Sequence, residues 1–327
     1  MDCAAARSEL GVTHDLTPFS NRLQKNLKHW GKWARRRGIT CYRLYDRDIP
    51  EFPFAIDRYE NHLHVQEFLP QQHSAEELSW QPMVTPLLTE LCAIPAQQIH
   101  FKTRQRQRGS QQYQRQSENE NESNHELIVE EGGLRFLINL HSYLDSGLFL
   151  DHRTTRQMVR QRASGKRFLN LFAYTGSFTV YAAAGGAKSS VTVDLSTTYQ
   201  QWSLRNLELN GLASDRHQRQ RADVFRYLSD ARQAGERFDL IVIDPPSFSN
   251  SKKMTQTLDI QRDHRRLLEA ALQLLTPGGE IFFSTNRKGF RLDPELVAEH
   301  PSHEITHQPV PEDFQRHRPH RCWKIER

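Results

Sequence analysis

From about His141 to Arg327, short apolar strand-like runs alternate with helix-patterned segments, and this alternation restricts the fold more than any other feature of the chain. Strands fit Phe168–Phe172, Ser190–Asp194, Arg219–Ala222, Phe238–Asp244 and Glu280–Ser284. Several are continuously apolar, as parallel strands covered on both faces are. Helices fit between them, around 177–184, 197–210, 224–234 and 259–275. Right-handed crossovers then give an α/β domain, a doubly wound Rossmann-like sheet whose ligands sit at the carboxyl ends of the strands. Pro277-Gly278-Gly279 is a turn feeding the fifth strand, and Arg321–Glu326 is a late edge strand.

A chain of 327 residues exceeds the usual size of one compact domain. We therefore expect a flexible tail over 1–16, a smaller α+β domain over 17–140 and the strand–helix domain over 141–327. Thr17-Pro18 resembles a helix N-cap followed by proline at the first position, and Phe19, Leu23, Leu27, Trp30 and Ala34 follow at helical spacing. Arg22, Lys25, Lys28, Lys32 and Arg35 occupy the other face, which is either solvated or made for phosphate contact. Arg36-Arg37-Gly38 ends the helix. Strand-like segments near 40–45, 52–58 and 61–68, a helix near 82–93 and a strand near 98–103 follow. Arg104 then opens a polar stretch over 104–125, read as a mobile loop. Glu126–Glu130 and Leu134–Leu140, around the turn Glu131-Gly132-Gly133, are expected to close the small domain.

The mean hydropathy is −0.74, and no run of about 18 apolar residues spans a bilayer. No basic, then apolar, leader opens the sequence. A cytoplasmic protein with no membrane partner is the expectation. Cys3, Cys41, Cys92 and Cys322 lie far apart without a CxxC pair, so neither a metal site nor a disulfide framework is expected. The net charge is only +5, but the clustered lysines and arginines make nucleic acid a plausible partner.

Asn170-Leu171-Phe172-Ala173-Tyr174-Thr175-Gly176-Ser177 lies where the first strand turns into a helix. This places Asn170, Phe172, Tyr174 and Gly176 against a cofactor. With only Gly176 in the turn, a pyrophosphate lacks the closely spaced glycines it needs, so a cofactor without phosphate, such as S-adenosylmethionine, fits better than a dinucleotide. Asp194, at the end of the second strand, can accept hydrogen bonds from both hydroxyls of a ribose. Asp223, after the third, can reach an adenine amino group. Either aspartate also fits as a helix N-cap. A third acid, Asp244, ends Phe238–Ile243 and is followed by Pro245-Pro246-Ser247-Phe248. Proline cannot continue the ladder, so the carboxylate and nearby carbonyls are aimed outward, and Phe248 can stack on a planar base. Asp244, Pro245 and Phe248 are the candidate catalytic residues.

These segments resemble the guanine-N7 methyltransferase half of the bifunctional bacterial 23S ribosomal RNA methyltransferases, the RlmK type. The likeness runs from about Asn21 to Arg327. It is carried by Asn21–Leu27, Cys41–Asp46, Ser146–Arg153, Asn170–Asn210 and Asp244–Lys252. The resemblance implies a class I S-adenosylmethionine-dependent methyltransferase domain behind an RNA-binding α+β domain. Its substrate would be 23S ribosomal RNA near the peptidyl-transferase centre, or a large-subunit assembly intermediate. It further implies that Asp151 and Arg153 line the methionine end of the cofactor, Asn170 and Gly176 its first loop, Asp194 its ribose and Asp223 its adenine. Arg22, Lys25, Lys28, Lys32, Arg35, Arg104 and Lys252 are the expected RNA contacts. The other half of the fused enzymes, an N2-guanine methyltransferase with an RNA-binding segment, would be a separate partner.

Guanine N7 bears a lone pair and no proton, so methylation there needs positioning more than a general base. Carbon methylation of cytosine needs a thiolate, and no cysteine lies between Cys92 and Cys322. N2-guanine or N6-adenine methylation is the nearer rival, since Asp-Pro-Pro also suits an exocyclic amine. A non-catalytic RNA-binding ribosome-assembly factor is the alternative from another class.

Overall fold

The computed structural model describes residues 15–68, 79–104, 125–143, 145–249 and 257–327. Most of the expected tail, the polar stretch after Arg104, and Lys252 lie outside these, as does the side chain of Arg104. Two compact units are found, Met1–Glu131 with Asn139–Leu144 and Gly132–Ile138 with Asp145–Arg327. The division thus interleaves around the expected break at 140/141.

The first unit contains α1 (Thr17–Arg37), β1 (Cys41–Asp46), β2 (Phe54–Tyr59), β3 (His62–Phe68), α2 (Gln81–Cys92), β4 (Ile99–Arg104) and β5 (Glu126–Glu131). Strands β1 to β4 form a sheet in sequence order, antiparallel except for the parallel pair β3–β4 that α2 connects. Phe19, Leu23 and Ala34 of α1 are buried with Leu44, Phe54, Ile56 and Val65, which accounts for the apolar stripe. One capping detail differs. Leu16 is the N-cap, Thr17 is already helical, and the Thr17 N–H is capped from outside by Asp15 Oδ1 at 2.9 Å. The helix stops at Gly38, whose φ of 63° is the left-handed C-cap conformation that glycine adopts cheaply.

The second unit begins with β6 (Leu134–Asn139), then α3 (Arg153–Arg162), β7 (Arg167–Leu171), α4 (Ser177–Ala184), β8 (Ser189–Asp194), α5 (Thr197–Leu209), β9 (His217–Arg221), α6 (Val224–Gln233) and β10 (Phe238–Ile243). It continues through β11 (Phe248–Ser249), β12 (Leu258–Asp259), α7 (Ile260–Leu272), β13 (Leu275–Thr285), α8 (Pro294–Glu299), β14 (Ser302–Glu304) and β15 (Arg321–Glu326). Strand β6, expected to close the small domain, is held here by side chains of α5. Asn206 Oδ1 accepts from the Leu137 N–H at 2.9 Å, and Trp202 Nε1 donates to the Leu137 carbonyl at 3.1 Å.

Seven strands form the large sheet in the order β14-β15-β13-β10-β7-β8-β9. Strands β9, β8, β7, β10 and β13 are mutually parallel; β15 and β14 run antiparallel to their neighbours. The two-residue period of a strand divides its apolar run between two layers. Leu169, Leu171, Ile241, Ile243, Ile281 and Phe283 pack under α6 and α7. Phe168, Leu240, Val242 and Phe282 pack under α3 and α4. This double burial is why these strands read as continuously apolar. The chain leaves β7 outward through β8 and β9, then returns beside β7 as β10, creating the switch point at which such sheets bind ligands.

Candidate functional site

At that switch point the loop after β7 has an unusual backbone. Phe172, Tyr174 and Gly176 have φ of 55°, 51° and 74°, a left-handed conformation that costs a non-glycine residue and persists only where its surroundings impose it. The surroundings are visible. The Tyr174 N–H donates to Asp194 Oδ2 at 2.9 Å, Thr175 Oγ1 donates to the Gly147 carbonyl at 2.6 Å, and Asn206 Nδ2 donates to the Thr175 carbonyl at 2.9 Å. A Cβ on Gly176 would lie 2.1 Å from Ser203 Oγ, so only glycine fits where the loop crosses α5.

Asp194 is therefore fixed from two sides, with the Ser196 N–H donating to its Oδ1 at 2.8 Å. Burial pushes its carboxyl up to about 6 against the opposing pull of the Ser196, Tyr174 and Leu195 N–H groups. Ser196, not Asp194, caps α5. Asp223 differs: it is the N-cap of α6 and accepts from the Arg226 N–H at 3.1 Å. Its capping role is realised in this structure.

Asn170 is a correction. Its side chain is 1% exposed and turned into the protein, donating through Nδ2 to Thr179 Oγ1 at 3.0 Å, with Thr179 in turn 2.8 Å from Thr192 Oγ1. This buried ladder ties β7, α4 and β8 together beneath the loop. Strand alternation explains it, because Leu171 and Leu169 face the opposite layer.

Asp244 follows the last residue of β10 and is half-buried. Ser284 Oγ, on adjacent β13, donates to its Oδ1 at 2.5 Å, and His152 Nε2 stands 3.3 Å from its Oδ2. Pro245 is buried, whereas Phe248 is 42% exposed on β11, which pairs antiparallel with β12. Phe149, also exposed, stands 5.3 Å from the Tyr174 ring, which meets Tyr199 edge-on at 4.6 Å. Asp151 Oδ2 is 2.9 Å from His320 Nδ1. Arg153 donates to the buried Asp313 Oδ1 at 2.5 Å.

His152, His320, Phe149 and Tyr199 escaped the sequence reading as site residues. His152 and Phe149 lie inside the Ser146–Arg153 segment, so adjacency to Asp151 was an available signal. His320 is 169 residues from its partner Asp151, and nothing local marks it. Cys322 is fully buried and its thiol is pushed up by that burial, with the Asp244 charge adding to it. It therefore supplies no thiolate nucleophile.

In the first unit, Lys25, Lys28, Lys32 and Arg35 are exposed on α1. Lys25, Lys28, His29, Lys32, Trp33 and Arg36 line a surface groove of about 690 Å³. Arg22 instead donates through Nε to Asp48 Oδ2 at 2.6 Å.

The family model for S-adenosylmethionine-dependent methyltransferases matches residues 54–315. A ribosomal RNA large subunit methyltransferase K from Neisseria meningitidis is 51% identical over 317 residues, covering 95% of this chain and 87% of that protein. A methyltransferase K/L from Methylococcus capsulatus is 47% identical over 94% of this chain, which spans 42% of that longer protein. A solved S-adenosylmethionine-dependent methyltransferase from Streptococcus mutans shares the fold at a TM-score of 0.72 and 23% identity, over 97% of this chain and 82% of that one. A methyltransferase solved with SAH has a TM-score of 0.74 at 24% identity, over 97% of this chain and 83% of that one. The chain therefore belongs to the S-adenosylmethionine-dependent methyltransferase family, within its group of ribosomal RNA large subunit methyltransferases K.

Proposed function

We propose that this protein methylates N7 of a guanine in 23S ribosomal RNA near the peptidyl-transferase centre, using S-adenosylmethionine. The observation that carries the reading is Asp244. It stands at the switch point with each carboxylate oxygen approached by a neighbouring side chain, four residues before the exposed Phe248.

The fit to the cofactor rests on two features. The left-handed loop of Phe172, Tyr174 and Gly176 has its shape held from below, and the half-buried Asp194 keeps carboxylate acceptor capacity beyond the Tyr174, Ser196 and Leu195 N–H groups for the ribose. When bound, the cofactor supplies an electrophilic sulfonium methyl group. Asp194 accepts from the ribose, Gly176 lets the main chain approach closely, and Asp151 and Arg153 lie at the methionine end. Asn170 acts from beneath, by holding the loop's base. Asp223 addresses the adenine with lone pairs its cap leaves over.

Methylation at N7 leaves the purine positively charged, and an ionised Asp244 stabilises that charge in a water-poor site. Phe248 holds a flipped-out base by stacking. The basic face of α1 contacts RNA phosphates with Lys25, Lys28, Lys32 and Arg35, while Arg22 is already committed in part to Asp48. Arg104 and Lys252 complete the proposed RNA contacts. A separate N2-guanine methyltransferase serves as partner, a reading supported by K/L relatives more than twice this chain's matched length.

Purified protein incubated with unmodified 23S ribosomal RNA and labelled S-adenosylmethionine should give 7-methylguanosine on nucleoside digestion. N2-methylguanosine or N6-methyladenosine would replace this reading by exocyclic-amine methylation. Failure of the folded protein to bind S-adenosylmethionine would favour a non-catalytic assembly factor.

A further inference from the structure

Behind Asp244 lie two histidines for which methyl transfer, as derived above, has no use. His152 and His320 are 5% and 3% exposed. Their rings stack with centroids 4.0 Å apart and planes 15° from parallel. Each ring faces a different acid: His320 Nδ1 is 2.9 Å from Asp151 Oδ2, and His152 Nε2 is 3.3 Å from Asp244 Oδ2. The remaining nitrogens, His152 Nδ1 and His320 Nε2, are buried and have no hydrogen-bond partner among the described residues.

The tautomers follow from these contacts. A neutral imidazole has one N–H, and a carboxylate only accepts. Each proton therefore belongs on the nitrogen facing the acid, Nε2 in His152 and Nδ1 in His320, leaving lone pairs on the unpartnered nitrogens. Burial and the neighbouring His320 hold His152 down to about 4, against the opposing pull of Asp244 and Asp151, while Arg156 adds to the lowering. Asp151, His152 and His320 also bring three possible ligand atoms within 4.8 Å of one another. Near-parallel stacked rings point their in-plane lone pairs side by side instead of converging them on one cation, so the stack suits orientation better than metal binding.

We propose that His152, braced by His320 and Asp151, is a positioning residue that aims Asp244: its Nε2–H fixes Oδ2 while Ser284 fixes Oδ1, leaving the outer lone pairs of the carboxylate directed at the target base. The separation of 3.3 Å is at the long end for a hydrogen bond and keeps Nε2–H within reach of Oδ2. Phe178 also meets the His152 ring edge-on at 5.6 Å. The inference rests on the reading of Asp244 as the group facing the methylated base.

The test compares His152→Ala with His152→Gln in the full-length protein. At saturating S-adenosylmethionine and ribosomal RNA, His152→Ala should lower kcat by about tenfold or more while the cofactor Kd measured by calorimetry stays within about twofold. His152→Gln, whose amide can donate in place of Nε2, should recover most of the loss. Equal losses in both folded variants, or no loss in His152→Ala, would overturn positioning. A parallel fall in cofactor affinity would also overturn it, assigning His152 to the cofactor loop. If neither variant folds, the parent decides through the 15N resonances of its histidines. His152 should remain neutral and Nε2-protonated from pH 5 to 8, and its signals should move in Asp244→Asn. Titration within that window, or an Nδ1–H tautomer, would sink the proposal. This spectrum needs no turnover, so it separates failure of the positioning from failure of Asp244's assignment, which a parent enzyme unable to methylate ribosomal RNA would reveal.

Discussion

The main-chain N–H of Tyr174 donates to Asp194 Oδ2 at 2.9 Å, so the left-handed loop after β7 is anchored on the acid that ends β8. One carboxylate thus both shapes the loop and presents lone pairs at the sheet's edge. Two consequences can be measured.

Replacing Asp194 by Ala removes the ribose acceptor and leaves the Tyr174 N–H without its partner. Charge-assisted hydrogen bonds of this type contribute about 1.5–3 kcal/mol, so S-adenosylmethionine affinity should fall roughly ten- to a hundredfold. Calorimetry on protein shown to be folded checks this. Unchanged affinity would remove Asp194 from the cofactor site.

Acidity should act through the same residue. With its carboxyl raised to about 6 by burial, Asp194 is only about one-tenth ionised at pH 5, and cofactor hydroxyls need the ionised form as acceptor. Affinity should therefore drop about tenfold between pH 8 and pH 5, and Asp194→Asn should flatten that dependence. Without cofactor the sign reverses. The raised value means the folded protein holds this proton more tightly, so Asp194's contribution to stability is complete below its ordinary 3.8 and is lost as pH rises through about 6. Melting curves of parent and Asp194→Asn across that window should converge at low pH.

Asp244→Asn keeps the shape of the side chain and removes its charge. If that charge stabilises the methylated purine, kcat should fall by roughly tenfold or more while the cofactor Kd changes little. Turnover near that of the parent would reduce Asp244 to a structural role beside Ser284.

On α1, replacing Lys25, Lys28 and Lys32 together by Ala should weaken binding of ribosomal RNA. The slope of log affinity against log salt should flatten by roughly two to three units, the counterions of three phosphate contacts. Cofactor binding should not change. All three side chains are exposed, so the melting temperature should move little. A folded triple mutant with the parent's salt slope would make this face ordinary solvated surface.

The doubly wound sheet was legible in the sequence because both its layers are apolar: Leu240 and Val242 face one layer while Ile241 and Ile243 face the other, and such runs read as buried parallel strands. The segments that turn at the strand ends were legible for a similar local reason. Glycine at 176 allows a positive φ and proline at 245 and 246 fixes φ and removes a donor, wherever they stand. The short strands β11, β12 and β14 carry too few residues to show a period. What the tertiary structure alone decided is where side chains of the right type spend their hydrogen bonds. Asn170 belongs to the cofactor loop by sequence, yet the alternation of β7 turns its amide inward to Thr179. Strand β6 belongs to the small domain by proximity, yet Asn206 and Trp202 hold it in the large unit. The stack of His152 on His320 links positions far apart in the chain, and no local pattern encodes it. Pairing at that separation depends on how the strands close the sheet, which is a property of the folded chain.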